Sequence, residues 1–196
     1  MWAVVESNGD PADLRVTGFV MPDRGPSRLI RFYDPEAVKQ PHLFATGMRV
    51  RRAAGEMTLK NTSVVRLVAR PEFLDSDSGE PVLALDPVRL EPNSARTIDL
   101  RSAMATLSRT VAADAVSVRV DSDGAAGALI GSLYLHDTRT GMPYDVPLRD
   151  SGAARSSTGS YPWRIDDDYQ TRASITNAGT ARPSSWRGSP MKGAES

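Results

Sequence analysis

The sequence predicts an all-β protein, an antiparallel β-sandwich with one short helix. Short runs in which apolar and polar residues alternate dominate the 196 residues. Gly, Pro, Asn or Asp breaks these runs every ~8–12 residues, the rhythm of strands in a sandwich or barrel. Only one stretch shows helical spacing instead.

The clearest strand is 115–121. Val116, Val118 and Val120 fall on one side and Ser117, Arg119 and Asp121 on the other, as a strand with one wet face requires. After the turn Asp121-Ser122-Asp123-Gly124 comes a more continuous apolar strand at 128–135, then a turn at 138–141. Residues 142–148 form a final strand, and Pro143 and Pro147 remove two ladder donors, which places it at a sheet edge. Upstream, 56–61 and 63–70 read as a strand pair meeting at Asn61-Thr62, where Asn tolerates positive φ and bonds its own backbone. Residues 81–86, 88–90 and 95–100 continue the strands. The exception is 99–107, where Leu100, Ala103, Met104 and Leu107 recur at helical spacing behind an Asp99 cap.

The chain also repeats itself about 115 residues apart. Met48-Arg49-Val50 returns as Trp163-Arg164-Ile165, Leu59-Lys60-Asn61 as Ile175-Thr176-Asn177, and Val5-Glu6-Ser7-Asn8-Gly9 as Val120-Asp121-Ser122-Asp123-Gly124. Val16, Phe19 and Met21 fall on Ile130, Leu133 and Leu135. This parses the chain into the last strands of one module (1–43), a complete module (44–150), a polar linker (151–159), the first strands of a following module (160–182) and a tail without alternation, expected to be disordered (183–196). The sandwich is thus expected to be flanked by partial modules.

Composition narrows the chemistry. Twenty-four basic residues, 21 of them scattered Arg, balance 24 acidic ones, so no overall field draws nucleic acid or an anionic surface. The chain has no cysteine, which excludes disulfides, thiolate metal sites and a Cys nucleophile. No apolar run reaches the ~18 residues that a membrane helix needs, and the first residues lack the pattern of a signal peptide.

Three segments carry a family resemblance: Met57-Thr58-Leu59-Lys60-Asn61-Thr62-Ser63; the Leu90-x-Pro92 … Ile98-Asp99-Leu100 centre; and Ser160-Tyr161-Pro162-Trp163-Arg164-Ile165 with Thr176-Asn177. Together they resemble the tandem immunoglobulin-like or adhesion-type β-sandwich repeats of large secreted or surface bacterial proteins. The resemblance implies an immunoglobulin-like sandwich, a secreted or cell-surface location, and partners that are adjacent repeats or an external protein or glycan. It brings no catalytic residues.

No catalytic, cofactor-binding or metal-ligating set emerges from the residues. Asp75-Ser76-Asp77-Ser78-Gly79-Glu80 alternates carboxylates before Gly as a calcium loop does, but a hairpin turn selects the same letters for conformational reasons. Asp166-Asp167-Asp168 leaves the same two readings open, calcium bound through Asp166 and Asp168 or a solvated turn. His42 and His136 fall in different modules, with His136 read as a strand-end residue rather than a general base. Three glycines between Gly124 and Gly131 precede no helix that would hold a phosphate. Tyr161, Trp163 and Tyr169 could stack on a sugar, although Trp163 aligns with Met48 and so reads as core. The expected function is a non-catalytic structural or interaction module without cofactors, the alternative an accessory carbohydrate-binding module of a secreted enzyme.

Overall fold

The computed structural model describes residues 18–20, 28–30, 39–112 and 114–150. Expectations for the linker, the following module and the tail lie outside the described residues. β1 (Gly18–Val20) and β2 (Arg28–Ile30) form an antiparallel pair with Phe19 opposite Leu29. Leu133, on which Phe19 falls in the repeat, is instead opposite Val146, so the two hairpins differ in register.

Residues 39–150 contain ten strands and one helix: β3 (His42–Arg49), β4 (Ala53–Asn61), β5 (Leu67–Asp75), β6 (Pro81–Ala84), β7 (Val88–Leu90), β8 (Ala95–Asp99), α1 (Arg101–Thr110), β9 (Ala115–Ser122), β10 (Leu129–Asp137), β11 (Pro143–Pro147) and β12 (Arg149–Asp150). They make two antiparallel sheets. One has the order β11-β10-β4-β8; the other has β12-β3-β9-β5-β6, with β7 also paired to β5. The fold is all-β and sandwich-like, as the alternation predicts.

Alternation places the core. Met57 and Leu59 of β4 with Leu133 and Leu135 of β10 supply one sheet's inner face; Leu43 and Ala45 of β3, Val116, Val118 and Val120 of β9, and Leu67, Ala69 and Phe73 of β5 supply the other. All belong to one apolar cluster, whose burial is the main favourable term for such a layered pair. Helix α1 adds Ala103, Met104 and Leu107, the residues whose spacing predicts it. Leu100 occupies the N-cap position, and Asp99 one residue earlier accepts the Arg101 N–H at 2.8 Å. Asp99 therefore serves the helix start, displaced by one position from the expected cap.

Three sequence-based expectations change. Residues 56–61 and 63–70 do not pair: β4 and β5 belong to different sheets, and the chain crosses between them at 62–66. The strand begins only at Leu67, leaving Val64 and Val65 at 81% and 66% exposure. Ser117, expected on the wet face, is 1% exposed; its Oγ donates to Thr46 Oγ1 at 3.3 Å and lies 3.5 Å from Ser76 Oγ. A bulge in β3 between Ala45 and Met48 opposes β9 there and brings Thr46 over Ser117.

The prolines of β11 do sit at a sheet edge. Asp137 N–H bonds Met142 O, and Leu148 N–H bonds Gly131 O. Residues 142, 144, 146 and 148 therefore face β10, and Pro143 and Pro147 turn their nitrogens outward, where no ladder donor is needed.

Asn61 closes the crossover. It is fully buried, and its Nδ2 donates to Val65 O (2.7 Å), Glu91 O (3.1 Å) and Leu90 O (3.3 Å). Its Oδ1 accepts from Ser63 N–H (2.9 Å) and Ser63 Oγ (2.8 Å). The expected bonding to nearby backbone is present, whereas its φ is not positive: Asn93 is the non-Gly residue with positive φ among those described.

Gly55 shows a different constraint. A Cβ there would lie 2.0 Å from Tyr134 O, inside the β4–β10 ladder, and Gly55 O accepts the Leu100 N–H that leads into α1.

Two substitutions test these contacts. Asn61→Ala leaves three carbonyls and the Ser63 donors without their partner and is expected to lower stability by about 3 kcal/mol. Gly55→Ala forces β4 from β10 and is expected to lower it by about 2 kcal/mol or more. Urea denaturation monitored by tryptophan-independent far-UV circular dichroism reads both; a loss below about 0.5 kcal/mol in either would show that the contact is dispensable.

Candidate functional site

The acidic loop singled out in the sequence is a turn built from its own side chains. Asp75 ends β5, and its Oδ1 accepts the N–H groups of Asp77 and Ser78, each at 2.9 Å, and the Ser78 hydroxyl at 3.3 Å. Gly79 takes φ +75°, its N–H bonds Asp75 O, and Asp75 N–H bonds Glu80 O, which starts the return into β6. Asp137 builds the same turn between β10 and β11. Its Oδ1 accepts from the N–H groups of Arg139 (2.8 Å) and Thr140 (2.9 Å), Gly141 takes φ +70°, and Asp137 N–H bonds Met142 O. The Asp-x-x-x-Gly spacing common to both is the signal in the sequence.

Both carboxyls are held below their ordinary value of 3.8. The leading cause for Asp75 is the Ser78 N–H, then the Asp77 N–H; for Asp137 it is the Thr140 N–H, then the Arg139 N–H. These bonds favour the ionised form because the negative charge makes the carboxylate the stronger acceptor of the N–H groups. Among the described residues, no three His, Asp or Glu side chains come together as a metal-ligand group. Asp77 is not joined by a third carboxylate beside Asp75 in the described chain.

The other charged clusters tie strands together. Asp114, just before β9, accepts from Arg49 Nε at 3.0 Å, and this bond lowers its pKa most, ahead of the charges of Arg49, Arg51 and Arg52. On the outer face of the larger sheet Arg119 of β9 pairs with Glu72 of β5, and its Nε lies 3.6 Å from Asp121. Sequence spacing does not show the Arg49–Asp114 and Arg119–Glu72 partners, because each of these pairs joins segments distant in the chain. His42 begins β3 in one sheet, and His136 is the penultimate residue of β10 in the other. Tyr144 of β11 is partly buried, and that burial, followed by the Asp137 charge, raises its phenol. It stays neutral at physiological pH.

The glycines between 124 and 131 also have packing roles. A Cβ on Gly131, within β10, would meet Leu59, Leu148 and the Thr58 carbonyl, each at 2.9 Å. Met48, the counterpart of Trp163, is a core residue at 1% exposure. Tyr161, Trp163, Asp166, Asp168 and Tyr169 lie outside the described residues.

The surface beside α1 also carries depressions. A cleft of about 690 Å³ runs between the β6–β7 connection and β8 with the start of α1, lined by Leu85, Pro87, Val88 and Ile98 and rimmed by Asp86, Arg89, Arg96 and Asp99. A shallower one of about 440 Å³ lies between the β3–β4 turn and α1, over Val50, Ala53 and Met104, with Arg51 and Arg101 at its margin. Neither lining contains an aromatic ring or a histidine. No family model matches the chain, and neither curated proteins nor solved structures give a match.

The turn carboxylates set an acid dependence. Their folded pKa values lie below the unfolded ones, so the unfolded chain binds more protons between the two. The stabilisation is fully present above about pH 4 and is lost as pH falls through the lowered folded values. The thermal midpoint of the native protein is expected to be flat above that region and to fall below it. Asp75→Asn with Asp137→Asn, whose amide oxygen still accepts the turn N–H groups, should make the acid limb shallower; an unchanged limb would mean the turns do not report protonation.

Proposed function

We propose that this chain is a non-catalytic structural and interaction module, one of a series of β-sandwich repeats in an extracellular or cell-surface bacterial protein. The observation that carries the reading is where the charged side chains go. Asp75 and Asp137 hold turns, Asp114 holds the β3 end to the β9 start, and Glu72 with Arg119 ties β5 to β9. The carboxylates with lowered pKa thus stabilise a scaffold, rather than being poised near neutrality as acid–base catalysis favours. The recurrence at about 115 residues supports a serial arrangement.

The kinship we propose with immunoglobulin-like modules is at the level of two packed antiparallel sheets with strands crossing between them. In an immunoglobulin domain the last two strands are neighbours in one sheet. Here the last two strands, β11 and β12, lie in opposite sheets, and β11 pairs with β10.

A module of this kind must fold alone. Residues 39–150 expressed separately are expected to unfold in one cooperative transition, with calorimetric and van't Hoff enthalpies in agreement. A broad transition, or dependence on the flanking sequence, would count against the reading. Saturable binding of that fragment on a glycan array would favour the accessory carbohydrate-binding alternative.

A further inference from the structure

We propose that the free edge of β8 pairs with β8 of a second copy of this chain, joining two four-stranded sheets across a two-fold axis at Thr97. The argument starts from which backbone groups β8 already uses. Asn61 N–H bonds Ser94 O, and Leu100 N–H bonds Gly55 O. In an antiparallel ladder alternate residues face the same neighbour, so Ser94, Arg96, Ile98 and Leu100 face β4. The N–H and C=O groups of Ala95, Thr97 and Asp99 then point away from β4, along the sheet's edge.

Sheet edges invite strand addition unless something blocks it. At the opposite edge of the same sheet the outward positions of β11 are Pro143, Asp145 and Pro147, two of them without a donor. In the other sheet, β6 begins with Pro81 and Pro87 precedes β7; β3 is bulged near Gly47 (φ +82°) and partly covered by β12. The outward positions of β8 carry Ala, Thr and Asp, with neither a proline nor a bulge in its pairing to β4.

The partner follows from the pattern on the outer face. Thr58 Oγ1 and Thr97 Oγ1 lie 3.2 Å apart, which places both on that face, and the register puts Lys60 beside Ala95 and Glu56 beside Asp99. Outward residues can pair only with outward residues, so a two-fold at Thr97 sets Ala95 opposite the copy's Asp99. Reading across the four strands gives Lys60, Ala95, Asp99 and Glu56 in one row, Thr58, Thr97, Thr97 and Thr58 in the centre, and the first row reversed on the far side. Lys60, whose Nζ donates to Asn93 O at 2.6 Å, lies in that row two strands from the copy's Asp99 and three from its Glu56, twice, with a threonine ladder between. Opposite charges and Thr–Thr pairs in cross-strand positions favour pairing, and a surface complementary to itself is what a two-fold contact requires.

Sedimentation velocity of the full chain across a concentration series tests this, with three variants. Thr97→Pro removes a donor that the β4 ladder does not use, and Thr97→Lys places like charges at the axis. Each is expected to raise the dimer dissociation constant at least about tenfold while the far-UV circular dichroism stays native. The chain has no cysteine, so Thr97→Cys introduces a lone thiol that should cross-link to its copy under mild oxidation, the two Cα atoms being within disulfide range. A protein monomeric at every concentration overturns the proposal. So does a dimer that survives both Thr97→Pro and Thr97→Lys, or one that Thr97→Cys does not cross-link.

Discussion

The buried amide of Asn61 is the constraint on which the layered arrangement depends. It lies at the end of β4, where the chain leaves one sheet for the other, and its donors reach Val65 in the crossover and Leu90 and Glu91 at the end of β7. One side chain thus fixes three backbone segments from both sheets. Backbone carbonyls drawn partly out of water need partners, and the crossover at 62–66 has no neighbouring strand to supply them. An aliphatic residue of similar size would fill the space and leave those groups unpaired, which is why this position calls for an amide rather than leucine.

The same logic recurs at the other turns in weaker, solvent-exposed form. Asp75 and Asp137 capture successive N–H groups of their own turns, and a glycine with positive φ then returns the chain to its strand. Short polar side chains that bond nearby backbone compete with ladder formation, and here that competition ends strands at defined places. The acidic loop that resembles a cation site in one dimension is, in three, a means of closing a hairpin.

What the residue pattern reveals is what depends on neighbours in the chain. Val116, Val118 and Val120 alternate because one sheet face is dry, and Leu100, Ala103, Met104 and Leu107 recur because a helix buries one stripe. Pro143 and Pro147 announce an edge for an equally local reason. Sheet membership is not local. β4 and β5 are consecutive and read as a hairpin, yet Asn61 and Ser63 bend the chain out of the first sheet, and the exposed Val64 and Val65 belong to that bend. Ser117 looks like a wet-face serine until the β3 bulge brings Thr46 over it. The ion pairs Arg49–Asp114 and Arg119–Glu72 were out of reach for the same reason, since pairing of distant strands is what creates them.

Crossing between sheets at most connections also governs the order in which the molecule can assemble. β3 takes β9 as its neighbour and β4 takes β10, so strands formed from residues 42–61 are completed by residues 115–137. Such pairings close long loops before any reward is returned, which slows folding relative to folds made of adjacent hairpins. During synthesis the first strands leave the ribosome with their apolar faces uncovered, and only the late arrival of β9 and β10 conceals them. A chain interrupted before β10 would hold most of its apolar residues and neither completed sheet.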